Sequence, residues 1–306
     1  MIAIGATNNF FNIPGVEEYA QQLKTVDDAK NIKNKVIDSL EHAEMLSRQL
    51  NNNSNNNHEE IKKWLTFVVC GAGPTGVEVA AELIEFIESH LRQFNHVKKE
   101  DIAVYLIQRD AKILSQLDQK CIAAASYVLE KKGIKIKVNS TCISMDEDSI
   151  CFADGNKIKS YTKIWTAGVK PNALKTIPLV VDKKCFFHTT KYLQLKTIDD
   201  EKNKRIKEKV FQEIFVLGDC ALFFNKDSQN KDSKTPVPQT AQAATKEAKV
   251  VAINIIRLIE NKLKDKQLQE SKELLEFHFS ETGFLVSLGQ KYAIADIKGF
   301  HFKGFF

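Results

Sequence analysis

Three glycines, Gly71, Gly73 and Gly76, stand at GxGxxG spacing directly after the apolar run Trp64 to Val69 and directly before a run of helical periodicity. A dinucleotide diphosphate needs each of them for a separate reason. Gly71 closes a tight turn, Gly73 lets the diphosphate approach the backbone, and Gly76 lets helix and strand pack closely. Free amide N–H groups and the positive end of the helix dipole then face the anion. The spacing alone is also that of an ordinary glycine-containing turn, and it is the strand before and the helix after that give it the context of a nucleotide site.

A second chemically telling position lies at the end of the next apolar strand, Ile102 to Ile107. An acidic side chain there accepts hydrogen bonds from the ribose hydroxyls of NADH and repels the 2′-phosphate of NADPH. This chain has Gln108 and Arg109 instead, which removes the repulsion and supplies a phosphate partner. The expectation is that NADPH is admitted alongside NADH; two solvated polar residues at a strand end would look the same. Further on, the apolar run from Ile214 ends in Gly218-Asp219. An aspartate so placed can accept a bond from a ribityl hydroxyl while adjacent amides serve a phosphate, although Gly-Asp is equally common in turns. Thr75-Gly-Val-Glu78 fits the capping box, which predicts that Glu78 caps its own helix.

The elements that position these residues follow from periodicity. Ala80, Leu83, Ile84, Ile87 and Leu91 form one face of the helix after the glycines. Residues 25–49 read as an amphipathic helix, NNNSNNN (51–57) as a linker, and Asp118 to Lys132 as a helix closed by Gly133. Cys142 to Met145, Ser149 to Phe152 and Lys157 to Lys159 alternate as a β-meander with Asp154-Gly155 as a hairpin signal. Lys163 to Pro171 reads as a strand and glycine turn, Lys196 to Lys209 as a charged insertion and Asp227 to Lys234 as a polar loop. A helix is predicted from Ala241 to Lys262, and short strands from Phe277 to Lys303.

With 306 residues and a net charge of +5, its Lys and Glu interspersed, the composition does not argue for nucleic acid. No apolar run approaches a membrane span and no signal peptide opens the chain, so a soluble or peripheral protein is expected. Six cysteines occur with no CxxC or CxxxxC pair, which suggests neither a redox disulfide nor a zinc site.

In order, IAIGATNNFFNIPGV (2–16), FVVCGAGPTGVEVAAEL (67–83), IWTAGVKPN (164–172), IFVLGDCA (214–221), PQTAQAA (238–244) and VSLGQKYAIADIKG (286–299) resemble the type II NADH:quinone oxidoreductases. These are flavoproteins with two dinucleotide-binding domains. The resemblance implies an α/β, Rossmann-like fold in which an NAD(P)H domain is inserted into an FAD domain. It implies hydride transfer from NAD(P)H to FAD and then two electrons to a membrane quinone, without proton pumping. By the same carry-over, Asp219, Ala241 and Gln242 would serve the flavin, with Gly168 and Gly218 as further cofactor-binding positions, Gln242 would also approach the quinone, and Glu78 would lie near the nicotinamide and quinone sites. Lys246 stands where the family has a second glutamine, and Ile4 replaces the usual threonine of the first glycine turn.

The family opens with a further GxGxxG unit and closes with amphipathic helices on the membrane, so the resemblance reads this chain as truncated at both ends. The domain reading is 1–63 as a partial FAD segment, 64–168 for NAD(P)H, 169–265 as the second FAD segment and 266–306 as the start of a C-terminal domain. The implied location is the inner face of the cell membrane, peripherally, or else the mitochondrial inner membrane, with a homodimer left open. Two other readings stand beside it: a non-catalytic fragment that binds only a nicotinamide nucleotide, and a related reductase that passes electrons to a protein.

Overall fold

The computed structural model describes residues 1–49, 55–172, 181–182, 184–197, 209–226, 234–264 and 272–305. It divides into two compact units: a larger one of Asn8–Gly168 with Thr282–Phe306, and a smaller one of Met1–Thr7 with Val169–Glu281. These divisions are not those read from the sequence at 63/64 and 265/266. Residues 8–63 and the C-terminal strands fall in the same unit as the glycine turn, because the amphipathic faces they carry are buried there.

The larger unit is built on a five-stranded sheet in the order β2 (Gln21–Gln22), β9 (Thr162–Trp165), β3 (Thr66–Cys70), β4 (Ala103–Ile107), β5 (Ile134–Lys137). All its pairings are parallel. Successive side chains of a strand face opposite ways. Phe67 and Val69 accordingly enter a core with Val77, Ala80, Ile84 and Ile87 of helix α4 (Pro74–His90). Val68 and Cys70 enter a second core with Met145, Ile150 and Phe152 of the meander. A strand covered on both faces reads as continuously apolar, which is what the sequence shows.

Helix α2 (Val26–Gln49) buries Val36, Leu40 and Ala43 in the first core. Helix α3 (Asn55–Trp64) follows, so the Asn-rich run does not stay a linker as far as Asn57, and residues 50–54 lie outside the described part. Trp64 ends this helix and stacks on His42, which moves the start of the strand to Thr66. Short α1 (Val16–Tyr19) packs under the meander β6 (Cys142–Asp146), β7 (Ser149–Phe152) and β8 (Lys157–Lys159). Helix α5 (Gln119–Lys131) is capped by Asp118, whose carboxylate accepts the Lys120 N–H at 2.8 Å, and Gly133 follows it at φ 88°.

One charge lies wholly inside this unit. Lys163 on β9 is fully buried and donates to the carbonyls of Asp146 (2.8 Å), Glu147 (2.6 Å) and Ser160 (3.0 Å), tying the meander turn to the sheet. Burial pushes its ammonium down to about 8. The C-terminal antiparallel sheet β17 (Phe284–Ser287), β18 (Ala293–Ile297), β19 (Phe300–Gly304) adds Val286, Leu288 and Ile294 to the first core.

In the smaller unit Ile2 forms a parallel bridge with Val216. Strand β1 (Ala6–Asn8) pairs with β10 (Val169–Pro171), and β11 (Phe187–His188) with β14 (Ala221–Leu222). Hairpins join β12 (Gln194–Lys196) to β13 (Val210–Phe215) and β15 (Phe224–Lys226) to β16 (Lys234–Pro236). The expected insertion and polar loop fall largely outside the described residues, at 198–208 and 227–233. Helix α6 (Ala241–Lys264) buries Val251 against Phe215, Leu217, Phe223 and Phe277.

Candidate functional site

The three glycines of the turn differ in what surrounds them. Gly71 sits at φ 104° and donates to the Ile107 carbonyl at 2.8 Å, and a Cβ there would fall 2.6 Å from Ala167 Cα. A Cβ on Gly76 would lie 1.7 Å from the Gly71 carbonyl oxygen, so helix and turn touch backbone to backbone. Gly73 faces open space, with nothing within 4 Å of an added Cβ. It is the N-cap of α4 without any side-chain cap, and Pro74 occupies the first helical position. Amides of the first turn therefore lack intrahelical acceptors and point out along a positive dipole. The turn lies at the carboxyl end of a central parallel strand, where doubly wound sheets bind ligands. The open space at Gly73 and these amides fit a dinucleotide diphosphate.

Gln108 and Arg109 are drawn into a network that the sequence reading did not include. Gln108 Oε1 accepts the Ala72 N–H at 2.9 Å, inside the glycine turn, and its Nε2 donates to Asp110 Oδ2 at 3.0 Å. Arg109 Nε donates to Asp110 Oδ1 at 3.1 Å. Asp110 follows Arg109 directly in the chain.

Glu78 does not cap its helix. Because α4 begins at Pro74, Thr75 is already inside the first turn and the capping box is out of register. The Glu78 carboxylate instead accepts the Ser287 N–H at 3.2 Å, and burial raises its pKa above the usual carboxylate range. Two turns on, Glu85 accepts the Gln290 N–H at 2.8 Å and pairs with Lys132. Burial would raise its pKa, but these two partners hold it below the ordinary value. Gly289 lies so close to this carboxylate that a Cβ would come within 2.4 Å of Glu85 Oε1. Two carboxylates on one face of α4 thus fasten the segment 287–290. Gly168, at φ 142°, abuts Phe11 and its carbonyl accepts the Asn9 N–H at 3.0 Å.

In the smaller unit Gly218 takes φ 75° and opens the turn Gly218–Cys220. Its N–H donates to Glu247 Oε2 at 2.6 Å, and Gln239 Nε2 donates to the Asp219 carbonyl. Glu247 is only 3 % exposed, and burial, reinforced by Asp219, raises its pKa. Helix α6 opens at Ala241, where Thr240 Oγ1 accepts the Ala243 N–H at 3.2 Å, and Gln242 is half-buried in its first turn. Lys246 lies over the Phe279 ring at 5.3 Å. An N-terminal helix turn beside a positive-φ glycine and an aspartate offers amides and a carboxylate suited to the phosphate and polyol parts of a flavin nucleotide.

The predicted residues therefore fall into two sets. Gly71, Gly73, Gly76, Glu78, Gln108, Arg109 and Gly168 belong to the larger unit, and Gly218, Asp219, Ala241 and Gln242 to the smaller. Sequence reasoning missed Ser287 and Glu247, whose partners lie far away in the chain. The six cysteines are free thiols, and burial pushes Cys142 up to about 11 and also raises Cys70 and Cys220. Such thiols are the opposite of activated nucleophiles. Among the described residues no helix is long and apolar enough to cross a membrane, and no cluster of His, Cys, Asp and Glu is arranged to hold a metal.

Comparison with known proteins agrees with this fold. Residues 1–248 match the family described as pyridine nucleotide-disulphide oxidoreductase. A probable NADH dehydrogenase of Dictyostelium discoideum is 29 % identical over 306 residues, covering 100 % of this chain and 60 % of the relative. The type II NADH:quinone oxidoreductase of Mycobacterium tuberculosis is 26 % identical, covering 100 % of this chain and 59 % of the relative. The chain thus spans well under two thirds of these curated relatives. The structure of NDH2 from Plasmodium falciparum in complex with NADH superposes with a TM-score of 0.74 at 24 % identity, over 99 % of this chain and 70 % of that one, a likeness of fold. The chain belongs to the pyridine nucleotide-disulphide oxidoreductase family, and its relatives are type II NADH dehydrogenases.

Proposed function

We propose that this chain is the nucleotide-binding body of an FAD-dependent NAD(P)H:quinone oxidoreductase. The observation that carries the reading is the turn Gly71 to Gly76, where open space at Gly73 meets uncapped amides at the start of α4. In this reading those amides bind the diphosphate of a nicotinamide nucleotide. Gly218, Asp219, Ala241 and Gln242 would hold the flavin, with the amides of the α6 N-terminus offering stabilisation to negative charge on the ring. FAD, when bound, supplies the two-electron chemistry that links a hydride donor to a quinone. Glu78, whose pKa burial raises, anchors Ser287, and in this reading it also lies beside the nicotinamide. Gln242 would approach the quinone. Relatives named as quinone oxidoreductases support the acceptor, and the reading includes a peripheral place on a membrane and activity without proton pumping.

Purified with excess FAD, the chain is expected to show a stoichiometric flavin absorption band and to oxidise NAD(P)H steadily with a soluble quinone as acceptor. Electron transfer to ferredoxin but to no quinone would overturn the choice of acceptor. Nucleotide binding without any flavin band would overturn the enzyme reading for this chain.

A further inference from the structure

The end of β4 lacks the acidic residue that sorts phosphorylated from unphosphorylated dinucleotides, since Gln108 stands there. The structure supplies a carboxylate two residues later. Asp110 receives the Gln108 amide at 3.0 Å on one oxygen and Arg109 at 3.1 Å on the other, while Gln108 Oε1 holds the Ala72 N–H of the glycine turn at 2.9 Å. The Gln108 amide is engaged at both ends, so a single side chain links the carboxylate to the turn.

The backbone here is fixed as well. Gln108 donates to the Lys137 carbonyl at 2.8 Å, Ser140 donates to the Gln108 carbonyl at 2.9 Å, and Asn139, at φ 52°, donates to the Asp110 carbonyl at 3.0 Å. The backbone that carries Asp110 is therefore held in place, while its side chain is half exposed and open to a ligand.

A carboxylate offers roughly four lone-pair positions, and two are taken by Gln108 and Arg109, leaving the others to accept hydroxyl donors. A ribose 2′,3′-diol provides such donors. A 2′-phosphate provides none when ionised, and brings between about −1.5 and −2 charges towards a carboxylate, as a phosphomonoester does at neutral pH. Arg109 would have to leave Asp110 to meet that phosphate. We propose that Asp110 makes this site prefer NADH over NADPH, with Gln108 tethering it to the glycine turn and Arg109 as its counterion. The proposal rests on reading Gly71 to Gly76 as the dinucleotide cradle.

Calorimetric titration of the full chain with NADH and with NADPH at fixed ionic strength tests it. The parent chain should bind NADH about tenfold or more tighter, a difference of about 1.4 kcal/mol. Asp110→Asn should bring the ratio of the two dissociation constants near one, Asp110→Glu should restore part of the preference, and Arg109→Ala should widen it. Equal affinities in the parent, or a ratio unmoved by Asp110→Asn while both nucleotides still bind, would refute the role of Asp110 alone. Failure of the parent to bind either nucleotide would refute the cradle and the proposal together.

Discussion

Gly73 and Gly76 are three positions apart and differ in what a methyl group at each would meet. On Gly76 it would press against the Gly71 carbonyl at 1.7 Å, a backbone atom that cannot rotate aside. Gly76→Ala should therefore cost roughly 1–3 kcal/mol, the range of overpacked cores, read as a lower denaturation midpoint with an unchanged m-value. Gly73 already has φ −72°, which any residue adopts, and its methyl would meet nothing. Gly73→Ala should leave stability within about 0.5 kcal/mol and weaken NADH binding tenfold or more, because the methyl occupies the ground of the diphosphate. If Gly73→Ala binds NADH as tightly as the parent, no diphosphate lies there. The spacing announced the close approach at Gly76 because it concerns neighbours along the chain. It could not announce Glu78, whose partner Ser287 is 209 positions away.

At the scale of elements, α2 is held to the approach of β4 by one carboxylate. Glu44, 4 % exposed, accepts the N–H groups of Asn95 (3.2 Å), His96 (2.8 Å) and Val97 (3.2 Å), as well as His96 Nδ1 and Arg48 Nε. Burial would raise its pKa, but the hydrogen bonds from His96, Asn95 and Arg48 together hold it at about 2. A carboxylate depressed in the folded state contributes stability that is complete above its unfolded value, near 4.3, and is lost as pH falls through the folded value. Stability should thus decline from about pH 5 towards pH 2, and Glu44→Ala should flatten that limb while costing about 1.5–3 kcal/mol at neutral pH, as charge-assisted bonds do. Urea melts of both proteins at pH 7, 4 and 3 check this; parallel losses on acidification would refute it. The helix itself was legible from Val26 to Gln49 by its period, as α6 was from Ala241. What Glu44 grips was not legible, nor was the bond from Gly218 to Glu247, because side-chain partners across loops leave no periodic trace. Trp64 was misread as strand for a related reason: its apolar ring is covered by His42 and Tyr161 at a helix end, not by a sheet.

For the whole molecule, the buried apolar residues fall into separate clusters, and each cluster stays within one unit among the described residues. The sequence suggested different boundaries because α2, α3 and the C-terminal strands look like polar, amphipathic peripheries until their apolar faces find the first core. Units with their own cores can unfold in separate steps, which a single probe would hide. The chain has two tryptophans, Trp64 and Trp165, and both lie in the larger unit. Their fluorescence therefore reports that unit, whereas far-UV circular dichroism reports the helices of both. In guanidinium the two signals should not coincide. NADH at about 100 times its dissociation constant should stabilise the unit it binds by about 2.7 kcal/mol. Because the glycine turn lies in that same unit, the fluorescence curve should move to higher denaturant while part of the dichroism change, the share from α6 and its neighbours, stays where it was. Coincident curves that shift together on adding NADH would show instead that the two units unfold as one.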